Sequence, residues 1–188
     1  MEPRRIAHSR VYRGRRPRCI VVSNMKPHRR PPFAIRLATV ADASVIAAMS
    51  RDLIETGLGW GWQADRVIRA IRARDTCVIV TASGQLATAF AIMQFGDTRA
   101  HLSLLAVAPG LQRRGIGRRM MGWLEESALT AGITTVALEL RQNNEAARSF
   151  YRALGYSDVA CIPGYYRGVE TALRMERDIR RATAGDIG

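Results

Sequence analysis

The sequence predicts one α/β domain, a mixed, mostly antiparallel sheet of about seven strands with helices on both faces. Three β-like runs follow one another between residues 76 and 107, separated by short turn signals, which is typical of antiparallel hairpins. A strand, helix, strand order then follows between residues 101 and 140, and this order implies a parallel crossover pair. The chain of 188 residues is long enough for one such domain with a sizeable core.

The first predicted elements are a strand and two helices. Residues 33–38 alternate between apolar and polar side chains, which predicts the strand. Asp42 is a good N-cap for the first helix, whose apolar side chains repeat at helical spacing: Val45, Ile46, Met49, Leu53 and Ile54. The glycine-rich residues 57–61 end it before a second, short helix. The loop between the helices, which contains Trp60, is either a wall of an acceptor pocket or a segment pinned by buried indoles.

The remaining elements are indicated by β-branched runs, helical spacing and turn residues. In chain order they are strands at residues 76–82, 86–95 and 101–107, a helix from Ile116 to Gly132, a strand at 134–140, a helix capped by Asn144, and two strands near 157–162 and 169–176 that flank a loop at 163–168.

A glycine-rich, basic turn at residues 112–117 joins a strand to the helix after it. The free N–H groups and the positive dipole end of a helix N-terminus can hold a phosphate. Gly115 and Gly117 let the backbone approach a ligand, and arginines add positive charge at positions 113, 114, 118 and 119. The turn lacks the P-loop pattern and has only two of the three glycines of a dinucleotide fingerprint. We therefore expect a pyrophosphate site of another kind.

Two segments carry a resemblance to a known family. Gln112-x-x-Gly115-x-Gly117 follows a strand that ends in Ala-Val-Ala-Pro, and Asn144-x-x-Ala147-x-x-x-Tyr151 precedes Leu-Gly-Tyr. Both segments, in this order and about one strand and one helix apart, resemble the GNAT superfamily of acetyl-CoA-dependent N-acetyltransferases. The resemblance covers residues 33–178 and implies the GNAT acyltransferase fold.

The resemblance implies that acetyl-CoA is the co-substrate and that its acetyl group passes directly to an amine in a ternary complex. It implies that two strands splay apart, that the pantetheine arm pairs with the exposed strand like an added strand, and that an N–H near Leu105 binds the thioester oxygen. Asn144 would hydrogen-bond the arm, cap its helix, or do both. The other expected cofactor-binding residues are Leu105, Ala106, Val107, Gln112, Arg113, Arg114, Gly115, Ile116, Gly117, Arg118 and Tyr151.

Two catalytic residues are implied in the same way. A tyrosine at position 151 would ordinarily belong to the core, but the resemblance implies that its hydroxyl protonates the departing CoA thiolate. Leu138-Glu139-Leu140-Arg141 resembles the Leu-Glu-Val-Arg segment of the ribosomal-protein alanine N-acetyltransferase branch, which implies that Glu139 is the general base. His101 and Ser103 on the neighbouring strand, or an ordered water, remain alternatives to Glu139.

The acceptor is less well determined. Pro163-Gly164-Tyr165-Tyr166 resembles the segment whose tyrosine pair contacts the acceptor peptide in that branch, so Tyr165 and Tyr166 join Trp60 as expected substrate-binding residues. The next residues, Arg167-Gly168-Val169-Glu170, replace acidic residues usual there, which leaves the acceptor open. We expect a primary amine of a protein or peptide, with a small-molecule amine as the second choice.

The formal charge of +13 is concentrated at the N-terminus, since residues 1–32 hold ten of the 29 basic residues and one of the 16 acidic residues. This proline-rich stretch is predicted to be a disordered extension, and residues 179–188 a polar tail. The extension is either plain solvated chain or a weak contact to nucleic acid or an acidic partner, and Met25 is an alternative start. An RNA-associated protein and a non-catalytic acetyl-CoA sensor are the other functional alternatives.

The sequence contains no run of about 18 apolar residues, the length that would predict a membrane span. The N-terminus also lacks the apolar core of a signal peptide. We therefore expect a cytoplasmic protein without membrane contact. The three cysteines are widely spaced and form no C-x-x-C motif, which favours reduced thiols over a disulfide framework or a metal site. A homodimer is left open.

Overall fold

A computed structural model of the protein describes residues 33–83 and 86–180. Its sheet has seven strands in the order β1-β2-β3-β4-β5-β7-β6. The strands are β1 (Ala34–Leu37), β2 (Thr76–Ser83), β3 (Leu86–Phe95), β4 (Arg99–Val107), β5 (Thr135–Arg141), β6 (Ser157–Tyr166) and β7 (Glu170–Asp178). The helices are α1 (Ala43–Leu53), α2 (Ala64–Arg72), α3 (Ile116–Thr130) and α4 (Glu145–Arg152), with short 3-10 turns at Val40–Asp42 and Pro109–Leu111.

β4 and β5 are parallel, and every other neighbouring pair in the sheet is antiparallel. The helices cover both faces. α3 and α4 close the larger core, which contains Met120 and Leu124, whereas α1 and α2 close the smaller core around Ile46 and Phe90. The predicted fold class, a mixed and mostly antiparallel seven-stranded sheet with helices on both faces, is confirmed. Among the described helices, none combines the length and the apolarity needed to cross a membrane.

A β-bulge in β4 prepares the site. The register with β3 passes from Ile92↔Leu104 to Met93↔Leu102, so Ser103 has no partner on β3. Because side chains alternate along a strand, the extra residue exchanges the two faces of β4. Leu102 packs in the larger core before the bulge, whereas Leu104 packs in the smaller core after it.

The parallel pairing of β4 and β5 ends beside this bulge. It runs from Arg99↔Thr135 to Leu102↔Leu138, although β4 continues to Val107 and β5 to Arg141. The ends of the two strands therefore lie side by side without pairing, and their backbone groups border an opening in the sheet.

The structure departs from the local predictions at three places. The residues 163–166, expected in a loop, belong to β6, because an irregular register between Ile162 and Tyr166 accommodates Pro163 on an edge strand. Asp42 occupies the N-cap position of α1, as predicted, but its carboxylate makes no capping hydrogen bond there. It accepts a hydrogen bond from the Thr39 N–H (2.7 Å) and forms an ion pair with Arg36 (2.8 Å), which lowers its pKa to about 2.

The third correction concerns the cysteines. Cys77 is buried and disulfide-bonded, contrary to the expected reduced thiols, because spacing along the chain does not reveal which sulfur atoms meet in the fold. Cys161 is a free cysteine on the exposed part of β6.

The core also extends just beyond residue 178, since Ile179 is fully buried and donates its N–H to the Thr134 carbonyl (2.9 Å).

Candidate active site

The glycine-rich turn forms one end of a cleft of about 690 Å³ between α3, α4 and the end of β4. Gly115 is the N-cap of α3 and has a φ of 77°, in the left-handed region that favours glycine. The N–H groups of the first helical turn after it have no partner within the helix. A Cβ on Gly117 would lie 3.2 Å from the Phe150 ring, so a larger residue would crowd the cleft.

Most of the predicted cofactor-binding residues line this cleft: Leu105, Val107, Gln112, Arg113, Gly115, Ile116, Gly117, Arg118 and Tyr151. Arg114 is exposed on the same turn but is not part of the lining. The side chain of Ala106 is buried in the smaller core on the opposite face, as the bulge dictates. Asn144 lines a neighbouring cavity instead.

The cleft has two chemically different ends. Leu105, Val107 and Phe150 make an apolar wall, whereas the turn offers arginines and helix N–H groups. The Gln112 side chain donates to the Val107 carbonyl (3.0 Å) and so ties the turn to β4. An apolar wall beside unpaired strand backbone, ending at a cationic helix N-terminus, fits the pantetheine arm and pyrophosphate of acetyl-CoA.

A second cavity, of about 160 Å³, occupies the opening between β4 and β5. Its lining includes Leu53 and Ile54 at the end of α1 and Tyr151 on α4, so the cavity passes from one face of the sheet to the other. The rest of the wall combines apolar side chains, mostly leucines, with polar groups from Ser103, Glu139, Arg141, Asn144 and Tyr166.

Tyr151 lines both the cleft and this cavity. Its ring is held edge-to-face by Phe150 and Tyr156, with centroids 5.0 and 5.6 Å away. Its hydroxyl forms no hydrogen bond with any described residue, and the hydroxyl oxygen is not completely buried. Burial, with a smaller contribution from Tyr166, raises the pKa of the phenol. Tyr151 is therefore a neutral phenol positioned between the two spaces.

Glu139 lies on the cavity wall and is the centre of a hydrogen-bonded cluster. Its Oε2 is 2.5 Å from Nε2 of His101, and its Oε1 accepts a hydrogen bond from Nε of Arg174 (2.7 Å). The Tyr165 hydroxyl donates to Oε2 at 3.4 Å. Burial alone would raise the pKa of the carboxyl, but the hydrogen bonds from His101 and Arg174 lower it to about 2. The structure thus joins two alternative candidates for the base.

The two predicted acceptor loops meet. The Arg167 guanidinium occupies the space that a Cβ on Gly59 would fill, which places the β6–β7 turn against the α1–α2 loop. Tyr165 and Tyr166 pack edge-to-face with centroids 5.0 Å apart, and Tyr166 lines the cavity. Trp60 does not line it, because its indole N–H donates back to the Ala47 carbonyl (3.2 Å).

Sequence analysis assigned no role to Arg174 or Arg141 and did not predict which leucine side chains line the cavity. Arg174 reaches Glu139 because β7 pairs with β5 in the register Glu139↔Arg174, and no local pattern reveals which strands become neighbours. Arg141 donates to the carbonyls of Ile54 and Thr56, which ties the end of β5 to the α1–α2 loop. The described residues contain no group of three or more His, Cys, Asp or Glu placed to hold a metal ion.

Residues 47–156, more than half of the chain, match the acetyltransferase (GNAT) family. The chain therefore belongs to the acetyltransferase (GNAT) family, and the resemblance found in the sequence is confirmed. The fold and the pair of joined spaces agree with this class of protein.

Particular relatives narrow the comparison. The ribosomal protein bS18-alanine N-acetyltransferase of Salmonella typhimurium is 38% identical over 99 residues, which are 51% of this chain and 66% of that protein. The N-terminal acetyltransferase B complex catalytic subunit naa20 of Schizosaccharomyces pombe is 32% identical over 87 residues, 46% of this chain and 48% of that protein. In both cases the match spans less than two thirds of the relative's length.

A solved structure shares the fold over a longer stretch. The crystal structure of the ribosomal-protein-S18-alanine N-acetyltransferase from Escherichia coli superposes with a TM-score of 0.68 and 25% identity. The superposition covers 78% of this chain and 94% of that chain. The relatives thus agree with the branch of the family that the Leu-Glu-Leu-Arg and Pro-Gly-Tyr-Tyr segments resemble.

Proposed function

We propose that this protein is an N-acetyltransferase that moves the acetyl group of acetyl-CoA directly to a primary amine of a protein or peptide. The position of Tyr151 is the observation that supports this most directly. One side chain forms part of the wall of both the cleft that fits acetyl-CoA and the cavity between β4 and β5. Direct transfer requires the acyl donor and the acceptor to meet beside one proton donor, and this wall is such a meeting point.

Bound acetyl-CoA would supply an acyl group activated as a thioester. The N–H groups and arginines of residues 112–118 bind its pyrophosphate, and the unpaired backbone of Leu105 to Val107 binds its arm. The Leu105 N–H donates to the acyl oxygen, and Tyr151 protonates the thiol as it leaves. The cluster around Glu139 lies on the other side of Tyr151, at the cavity, where it receives the proton of the acceptor amine.

The acceptor we favour is the N-terminal amine of a polypeptide. A cavity of about 160 Å³, lined by both leucine side chains and polar groups, has room for a small side chain, and the half-exposed Tyr165 beside it offers a surface for the following residues. The relatives' names refer to a ribosomal protein's alanine and to N-terminal acetylation. An N-terminal amine, with a pKa of about 8, is also easier to deprotonate than a lysine at about 10.4.

The setting of the protein is part of the same proposal. We place it in the cytoplasm, because one of the relatives named above is an N-acetyltransferase of ribosomal protein bS18. The expected extension at residues 1–32 lies outside the described residues, so its contact to nucleic acid or to an acidic partner stays a prediction. A homodimer, too, stays a prediction.

The first experiment is calorimetric titration with acetyl-CoA. We expect micromolar binding, reduced at least tenfold in Arg113→Glu, because a carboxylate at the turn would repel the pyrophosphate; tenfold corresponds to about 1.4 kcal/mol. The control is Arg69→Glu, the same charge change at an exposed position of α2, on the other face of the sheet. A screen of N-terminal peptides and small amines by released thiol then identifies the acceptor.

Absence of acetyl-CoA binding in folded wild-type protein would reject the proposal. Equal losses in the two charge-reversed variants would mean that overall charge, and not the turn, governs binding. Turnover with small amines alone would favour the small-molecule alternative.

The two roles of Asn144 can be separated. Its Oδ1 accepts a hydrogen bond from the Ala147 N–H (3.0 Å) as the cap of α4, and its side chain also lines the cavity. We expect Asn144→Ala to cost about 1 kcal/mol of unfolding free energy and to weaken acetyl-CoA binding. Asn144→Asp keeps the capping oxygen but loses the amide donor, so it should retain stability and still bind weakly. Wild-type affinity in Asn144→Asp would mean that Asn144 is only a cap.

A further inference from the structure

His101 and Glu139 form a short polar contact beside the cavity, with 2.5 Å between Nε2 and Oε2. The pair arises because the parallel register His101↔Ala137 sets the two residues diagonally across β4 and β5. We propose that Nδ1 of His101 is the proton acceptor for the amine, that Ser103 relays the proton, and that Glu139 is a positioning residue. This inference rests on the proposed acetyl transfer.

Both carboxylate oxygens of Glu139 already accept hydrogen bonds. Arg174 occupies Oε1, while His101 and Tyr165 share Oε2. Its depressed pKa, about 2, means that a proton resting on the carboxylate is unfavourable in neutral solution. Glu139 is therefore a weak proton acceptor, and its charge is better suited to stabilising a positive partner.

The state of Glu139 decides the tautomer of His101. An ionised carboxylate can only accept hydrogen bonds, so Nε2 of His101 must carry a hydrogen. In a neutral imidazole the other nitrogen then accepts, and Nδ1 lies 3.5 Å from the Ser103 hydroxyl. Ser103 lines the cavity and is the unpaired residue of the bulge. The accepting nitrogen, Nδ1, can therefore receive a proton from an amine in the cavity by way of the Ser103 hydroxyl.

The proton has a way out to solvent. The side chain of His101 is 38% exposed, whereas that of Glu139 is 5% exposed. The ammonium form of the acceptor gives one proton to the Ser103 oxygen while the Ser103 hydroxyl hydrogen passes to Nδ1. The products are a neutral amine and an imidazolium, which Glu139 stabilises until His101 releases the proton to water.

The groups that face His101 are consistent with this role. Glu139 on β5 is the anion, Arg174 on β7 and Tyr165 on β6 reach the same carboxylate, and the β3 neighbour is the uncharged Gln94. The direct contact at 2.5 Å makes Glu139 the closer of the two charged groups.

The decisive variant is His101→Gln, assayed with a peptide amine across pH. We expect kcat/KM at pH 7 to fall about 100-fold, the low end of the range for a lost general base. The deficit should shrink as pH rises above about 8, since the amine then loses its proton without help. Added imidazole should restore part of the rate. Gln94→Ala, on the exposed neighbour, should behave as wild type.

Glu139→Gln separates the two candidates for the base. Its amide oxygen can still accept from Nε2, so we expect a loss of only about tenfold, smaller than the loss in His101→Gln. A loss in Glu139→Gln as large as that expected for His101→Gln, together with a wild-type profile in His101→Gln, would overturn the proposal and make Glu139 the base.

A measurement without turnover keeps this test independent of the proposed function. Nitrogen-detected imidazole NMR of the whole protein, with the His101 signal assigned by its absence in His101→Gln, reports the tautomer. We expect the hydrogen on Nε2, and a hydrogen on Nδ1 would overturn the proposal. If wild type binds no acetyl-CoA and acetylates no amine, the proposed function fails even though the tautomer is as expected.

Discussion

Replacing Tyr151 by phenylalanine is expected to lower kcat about 10²- to 10⁴-fold, the range for a lost general acid, without changing the affinity for acetyl-CoA. The phenyl ring keeps its contacts with Phe150 and Tyr156, and the hydroxyl has no described hydrogen-bond partner to lose. The unfolding midpoint should therefore stay at the wild-type value. Steady-state rates of thiol release and a thermal melt check both statements.

A matched control for this variant is Tyr156→Phe. The Tyr156 hydroxyl donates to Glu125 (2.8 Å) inside the larger core, so its loss should lower stability by about 1–3 kcal/mol and leave kcat nearly unchanged. Because burial raises the pKa of Tyr151, wild-type kcat should show no loss of the acid below about pH 10, the ordinary phenol value. A small change of kcat in Tyr151→Phe would assign leaving-group protonation to another donor or to water.

The variant Arg177→Met is expected to destabilise the protein by about 3–5 kcal/mol, the usual cost of removing one partner of a buried ion pair. Arg177 donates to Glu125 Oε2 (2.9 Å), and the side chains of the pair are only 19% and 10% exposed. Methionine fills similar volume but leaves Glu125 with Tyr156 as its remaining donor. Urea unfolding measures the loss.

The pH dependence of this loss has a definite sign. Burial raises the pKa of Glu125, and without the cation the folded-state pKa rises further. A group with a raised folded pKa adds stability below its unfolded pKa and loses that contribution as pH rises through the folded value. The deficit of Arg177→Met should therefore grow from acid toward neutral pH. A constant deficit would mean that lost packing, and not the charge of Glu125, is responsible.

Arg99→Met is the control for the buried pair. Arg99 forms an even shorter ion pair with Glu176 (2.6 Å), but its side chain is 53% exposed. Solvent screens such pairs, so the expected cost is below about 1 kcal/mol. Equal losses in the two variants would contradict the role assigned to burial.

The elements that sequence analysis placed well are those with local signatures. The turn at residues 112–117 has its glycines, arginines and helix start within a few positions, and the strand, helix, strand order around it required a parallel pair. Asn144 likewise predicted the N-cap of α4, and its Oδ1 accepts a hydrogen bond from the Ala147 N–H.

The features that escaped prediction depend on pairing between distant segments. The sequence suggested Ser103 only as an alternative base, and only the register with β3 shows that it forms a bulge. The choice between Glu139 and His101 stayed open because 38 positions separate two side chains that touch in space. Tyr165 and Tyr166 were placed in a loop because Pro163 and Gly164 are turn-formers, yet an edge strand tolerates both.

The bulge at Ser103 changes which side chains of β4 face each core. Upstream of it the even-numbered side chains point to the larger core, and downstream the odd-numbered Leu105 and Val107 do so. Removing one residue at or before Ser103 could be absorbed by closing the bulge, and Leu105 and Val107 would still face the larger core because their register with β3 would not change. A residue inserted after Leu104 has no such outlet: in a regular ladder it would turn Leu105 and Val107 into the smaller core and Ala106 toward the cleft. The strand therefore tolerates a shortening before the cleft better than a lengthening within it.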